Sequence, residues 1–73
     1  MKVRAKFNCE SVKTFDGGRT EVTLNPITGG SPENDKFFKW TPYGEIKIGT
    51  INPDVKFVPG KNYFVDFIEE NDN

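Results

Sequence analysis

Seventy-three residues with a net charge of −1, one cysteine and no histidine leave room for one small domain and remove several chemistries from it. No internal disulfide can form, a zinc site of the usual Cys/His kind lacks its ligands, and no imidazole is present to act as a base. A chain this short buries only roughly 60% of the surface it exposes unfolded, so its core must come from seven Phe, two Tyr and Trp40, each ring hiding on the order of 150–250 Å².

The charge is unevenly spread. Lys2, Arg4 and Lys6 open the chain and Glu69, Glu70 and Asp72 close it; without those three acids, eight acidic side chains face ten basic ones. A weakly basic body with an acidic tail fits a binder of polyanions whose tail competes for the same surface, or two ends kept soluble. No apolar run follows the basic N-terminal residues, so no secretory signal is read there. No stretch approaches the roughly 20 apolar residues of a membrane helix. The lone thiol points to a reducing compartment, and cytoplasm is the expected location.

In chain order, Val3, Ala5, Phe7 and Cys9 alternate with Lys2, Arg4, Lys6, Asn8 and Glu10, the period of a half-buried strand. At Ser11-Val12 the alternation slips by one residue, which marks either a β-bulge or the end of the strand. Asp16-Gly17-Gly18 is a hairpin turn. Thr20, Val22 and Leu24 alternate with Glu21, Thr23 and Asn25 as a second strand, closed by Pro26. In the loop that follows, Ser31-Pro32 has the form of an N-cap and first helical residue, giving at most one helical turn near residues 32–36.

Lys36 to Thr41 is expected as a short third strand, Thr41-Pro42-Tyr43-Gly44 as a type I turn, and Glu45 to Ile51 as the fourth strand. Val55 and Phe57 continue an extended segment, and Val58-Pro59-Gly60-Lys61 is a type II turn. The last strand, Asn62 to Glu69, has Tyr63, Val65 and Phe67 on one face and Phe64 and Ile68 on the other. That places it centrally in the sheet or against a face that something else covers. The expectation is one all-β domain over residues 1–69, a small five-stranded antiparallel OB-like or SH3-like barrel, with a flexible acidic tail at 70–73.

Enzyme chemistry fails on inventory. Cys9 shares the apolar parity of Val3 and Phe7 and reads as a buried thiol. Asp16-Gly17-Gly18 lacks the lysine and helix of a phosphate loop, and no acidic cluster has calcium-loop spacing. No cofactor or metal is expected. What remains is aromatic and basic: Lys36, Phe37, Phe38, Lys39, Trp40 and Tyr43 crowd four rings and two ammonium groups into eight residues. On a strand, Lys36, Phe38 and Trp40 share one face. Such a face is either filling for the core or a platform on which single-stranded nucleic acid stacks, with lysines on its phosphates. Lys2, Arg4 and Lys6 form a second basic stripe, which alternatively only protects a strand edge.

Three segments carry a family resemblance: Lys2-Val3-Arg4-Ala5-Lys6-Phe7, then Asn34-Asp35-Lys36-Phe37-Phe38-Lys39 with Thr41-Pro42-Tyr43-Gly44-Glu45, then Phe57 through Phe67. In this order and over nearly the whole chain they resemble small, mostly uncharacterised proteins of tailed bacteriophages, and the last segment looks like the final-strand entry of OB-type barrels. The resemblance implies a phage origin and a host-cytoplasm location more than an activity. Two readings follow. One is an accessory protein binding single-stranded nucleic acid through Lys2, Arg4, Lys6, Lys36, Phe38, Lys39, Trp40 and Tyr43. The other is a protein–protein interaction module, either an inhibitor of a host factor or a minor virion component.

Overall fold

The alternation that opens the sequence produces one long strand, β1 (Lys2–Thr14), in a computed structural model that describes residues 1–71. The expected acidic tail falls partly outside this range: Glu70 and Asn71 are exposed and belong to no strand, and Asp72 and Asn73 lie outside the described residues. The slip after Cys9 is a bulge. Cys9 pairs with Leu24 and Ser11 with Thr23, so Glu10 is the extra residue. The bulge returns Val12 to the face of Cys9, opposite Val22, and bends the strand.

A short 3₁₀ turn over Asp16–Gly18 joins β1 to β2 (Thr20–Pro26), with Gly17 and Gly18 at φ of +84° and +80°, a conformation that a Cβ disfavours. β2 then pairs with β3 (Ile46–Thr50), while the other side of β1 pairs with β4 (Asn62–Ile68). The sheet order is β3-β2-β1-β4, every pair antiparallel. It curls into a half-barrel.

Several expectations need correction. The sheet has four strands rather than five, because Lys36 to Thr41 is not a strand: α1 (Pro32–Phe38) runs through Phe38 and bends follow it. The helix is also longer than the single turn anticipated at 32–36. Ser31 Oγ accepts the Asn34 amide at 3.2 Å and Pro32 supplies the first turn, so the start is well capped. No β-branched residue interrupts the helix before Phe38, which turns into the core. The half-barrel does not close, since β3 and β4 are the two ends of the sheet order. β4, with apolar residues on both faces, therefore lies at an edge and not in the centre.

The core sits on the inner face of the sheet. Ala5, Phe7, Cys9, Val22 and Leu24 are buried, with Val12, Ile46, Ile48, Tyr63 and Val65 packed around them. Fully burying a Leu or Val side chain stabilises by roughly 1.5–3 kcal/mol. Phe38 closes one end of this face from α1. Phe57, from the loop after β3, closes the other with its ring edge-on to Tyr63 at 4.9 Å. The Pro59-Gly60 turn forms as expected: Lys61 N–H donates to Val58 C=O at 3.1 Å, with Gly60 at φ +88°.

Candidate nucleic-acid interface

β1 holds Lys2, Arg4 and Lys6 on the outer face of the sheet. The register sets Ile68, Asp66 and Phe64 of β4 directly opposite them. Arg4 is engaged twice by Asp66, Nε donating to Oδ1 at 2.6 Å and Nη2 to Oδ2 at 3.0 Å. This paired hydrogen bonding and the guanidinium charge hold the Asp66 carboxyl below the usual carboxylate range; the same contacts raise Arg4. Above both strands, the Arg4 guanidinium lies 5.0 Å and the Lys6 ammonium 5.1 Å from the centre of the Phe64 ring. Phe64 thus becomes the middle of a basic patch. Sequence reasoning missed it, although its position on the polar parity of β4 was the available signal.

α1 brings the second cluster to the first because of one side chain. β2 ends at Pro26 opposite Phe7, leaving Lys6 without a strand partner on that side. Asn34 takes the place of the missing strand: its Oδ1 accepts the Lys6 N–H at 2.6 Å, and its Nδ2 donates to the carbonyls of Lys6 at 2.8 Å and Ile27 at 3.0 Å. The side chain is 2% exposed and fully satisfied. Sequence reasoning gave Asn34 no role, since an asparagine in a polar loop has no distinguishing pattern.

Docked in this way, α1 faces the free end of β1 across a groove of about 340 Å³ lined by Lys2, Val3, Arg4, Glu33, Lys36 and Phe37. Lys36 therefore meets Lys2 and Arg4, which stand far from it in sequence. Glu33 is held in its charged form first by its own backbone amide and then by the Ser31 hydroxyl, which donates to Oε1 at 3.1 Å; both lower its pKa, and Lys6 and Arg4 add to the effect. Phe37 stacks flat on Phe67 of β4 at 5.6 Å and so ties the helix to the far strand.

The expected platform divides at the end of α1. Phe38 packs against the core and is not on the same face as Trp40. Lys39 takes φ +69° while its N–H donates to Asp35 C=O at 3.1 Å, ending the helix and turning the chain outward. Trp40 is then 80% and Tyr43 91% exposed, and the Lys39 ammonium lies 5.9 Å from the Trp40 ring. Among the described residues, Lys2, Lys6, Lys36 and Lys39 form no ion pair. Cys9 is buried, and among the described residues no group of His, Cys, Asp and Glu is placed to hold a metal ion. Among the described residues no helix is long and apolar enough to cross a membrane. Comparison with protein-family models, curated proteins and solved structures returns no significant match.

Proposed function

We infer that this chain is a small non-enzymatic accessory protein of a tailed bacteriophage, acting in the host cytoplasm, that binds single-stranded nucleic acid. The observation that carries this reading is the exposure of Trp40 and Tyr43. A domain with so small a core gains by burying its rings, yet its only tryptophan stands in water beside Lys39, and one of its two tyrosines, Tyr43, is also in water. Among the described residues the lysines at positions 2, 6, 36 and 39 form no ion pair, and they supply charge for phosphates. Phe64 under Arg4 and Lys6 offers a further ring. The OB-like or SH3-like assignment belongs to this proposal. It is supported by the curl of the sheet and by a bulged first strand shared between two neighbours.

Full-length protein titrated with labelled oligo-dT tests the reading. Saturable binding is expected, falling with salt at a slope of about −2 to −3 on logarithmic axes if three or four lysines contact phosphate. Trp40→Ala and Tyr43→Ala should each weaken it by about tenfold, since stacking contributes roughly 1–3 kcal/mol per base. A flat titration at low salt sinks the reading. It would put forward the protein-partner alternative, which the near-neutral charge and the exposed apolar residues Phe64 and Ile68 favour.

A further inference from the structure

The two outer edges of the sheet are built differently. β3 is five residues long, contains Lys47 and Gly49, and runs into Asn52-Pro53. Short length, lysine and nearby proline are ordinary protections against pairing with another chain. β4 has seven residues, none of them Pro, Gly or Lys, and is apolar on both faces. Its ladder parity is fixed by the bond from Glu69 N–H to Met1 C=O at 2.9 Å. Phe67, Val65 and Tyr63 exchange bonds with Val3, Ala5 and Phe7, so the N–H and C=O groups of Asn62, Phe64, Asp66 and Ile68 point away from β1. Among the described residues no strand lies beyond them.

We propose that β4 pairs antiparallel with β4 of a second copy about a twofold axis at Val65, joining two half-barrels into one continuous sheet. The outward-pointing residues are the even-numbered ones, so only registers that match even with even satisfy both edges. Centring on Asp66 sets that carboxylate against its own copy, which like charges disfavour. Centring on Phe64 leaves Phe67 and Ile68 without strand partners. Centring on Val65 uses all seven residues.

That register also matches the side chains. On the outer face, Arg4, Asp66, the second copy's Phe64 and its Lys6 form one cross-strand row, so each carboxylate reaches a ring already flanked by cations. On the inner face, Tyr63 meets Phe67 of the second copy and Val65 meets Val65, extending the apolar rows that begin at Phe7, Val3 and Ala5. Phe64 and Ile68, now 52% and 66% exposed, lose water contact. The contact is smaller than the roughly 800 Å² per partner of a standard interface, so the dimer is weak and forms at tens to hundreds of micromolar.

The inference does not rest on nucleic-acid binding, and its test contains none. Sedimentation velocity of the full chain from about 2 µM to about 1 mM should show the mass rising from monomer to dimer. Phe64→Pro removes an outward N–H that β1 does not use, and should leave the protein monomeric while its circular dichroism stays β-rich. Val65→Cys under mild oxidation should crosslink into a dimer, because the facing Cα atoms are about 4.5 Å apart in a non-hydrogen-bonded pair, within disulfide reach. Ile68→Cys, more exposed but displaced by six residues from its copy, should not. The crosslinking pair decides the matter even if Phe64→Pro fails to fold. A monomer at every concentration overturns the proposal, and so does crosslinking of Ile68→Cys as readily as Val65→Cys.

Discussion

Asn34 and Trp40 stand six residues apart and occupy the places that hydropathy would assign to each other. The asparagine is 2% exposed under the end of β2; the tryptophan is 80% exposed beyond the end of α1. The difference comes from the backbone. Where β2 stops, the Lys6 carbonyl still accepts the Ile27 N–H but the Lys6 N–H has no strand to receive it, and a primary amide is the side chain that accepts from that N–H while donating a second bond to the carbonyl. An indole satisfies neither. Where the chain leaves α1 at Lys39, the backbone turns outward and carries the ring into water.

The sharpest way to break this comparison is Asn34→Ala. It leaves the Lys6 N–H and the Ile27 carbonyl without the side-chain partners they have now, in a half-buried setting. The expected loss is about 2–4 kcal/mol, a fall in melting temperature of roughly 10 °C or more for a domain of this length. Asn34→Asp should do no better, because a carboxylate keeps the acceptor but turns lone pairs toward the carbonyls of Lys6 and Ile27. Either variant unfolding within 1 kcal/mol of the parent in urea would mean that the amide is not what docks α1.

Lys39→Gly probes the outward turn. A lysine at φ +69° holds a conformation that costs a side-chain-bearing residue roughly 1–2 kcal/mol and glycine little. The variant should therefore gain about 1 kcal/mol of stability in a denaturant titration while losing affinity for oligo-dT, since the ammonium beside Trp40 goes with it. A loss of stability would show that the lysine stem packs more than the backbone strains.

What the sequence made legible follows the same division. β1, β2, the Gly17-Gly18 turn, the Pro59-Gly60 turn and β4 were all readable, and the slip after Cys9 was visible as a bulge or a strand end, because period-two alternation and positive-φ glycines are local properties. The helix start at Ser31-Pro32 was equally local. Its length was not: Lys36 to Thr41 has the aromatic content of a strand, and only the tertiary anchor at Asn34 and the core position of Phe38 make it helical as far as residue 38. The convergence of Lys36 with Lys2 and Arg4 was hidden for the same reason, since it depends on a helix standing where a strand ends. Phe38 and Trp40 lost their shared face when the strand became a helix and a turn.

Acid should separate the patch on β1 from the groove beside it. Asp66 and Glu33 both have lowered pKa values, so the folded state binds fewer protons than the unfolded chain near the ordinary carboxylate range. Their contribution is complete above that range and is lost as pH falls through the lowered folded values. Denaturant midpoints measured from about pH 6 down to about pH 2.5 should fall accordingly. Arg4→Gln should flatten the part due to Asp66 and leave the part due to Glu33, whose partners are chiefly its own amide and Ser31. An unchanged profile in that variant would show the Arg4–Asp66 pair to be silent in solution, as exposed pairs often are.

The smallest expected effect is on the fold itself, from Trp40→Ala and Tyr43→Ala. Rings 80% and 91% exposed have little burial to lose, and each variant should stay within about 0.5 kcal/mol of the parent in urea. That near-silence gives the substitution its value. Lost oligonucleotide binding in an undisturbed domain assigns the rings to a ligand. Unchanged binding with unchanged stability would instead leave Trp40 as bare surface, and the purpose of the outward turn at Lys39 would have to be sought in a protein partner. A substantial loss of stability would mean that the ring folds back onto the sheet in solution, and the contrast with Asn34 would collapse into one buried segment.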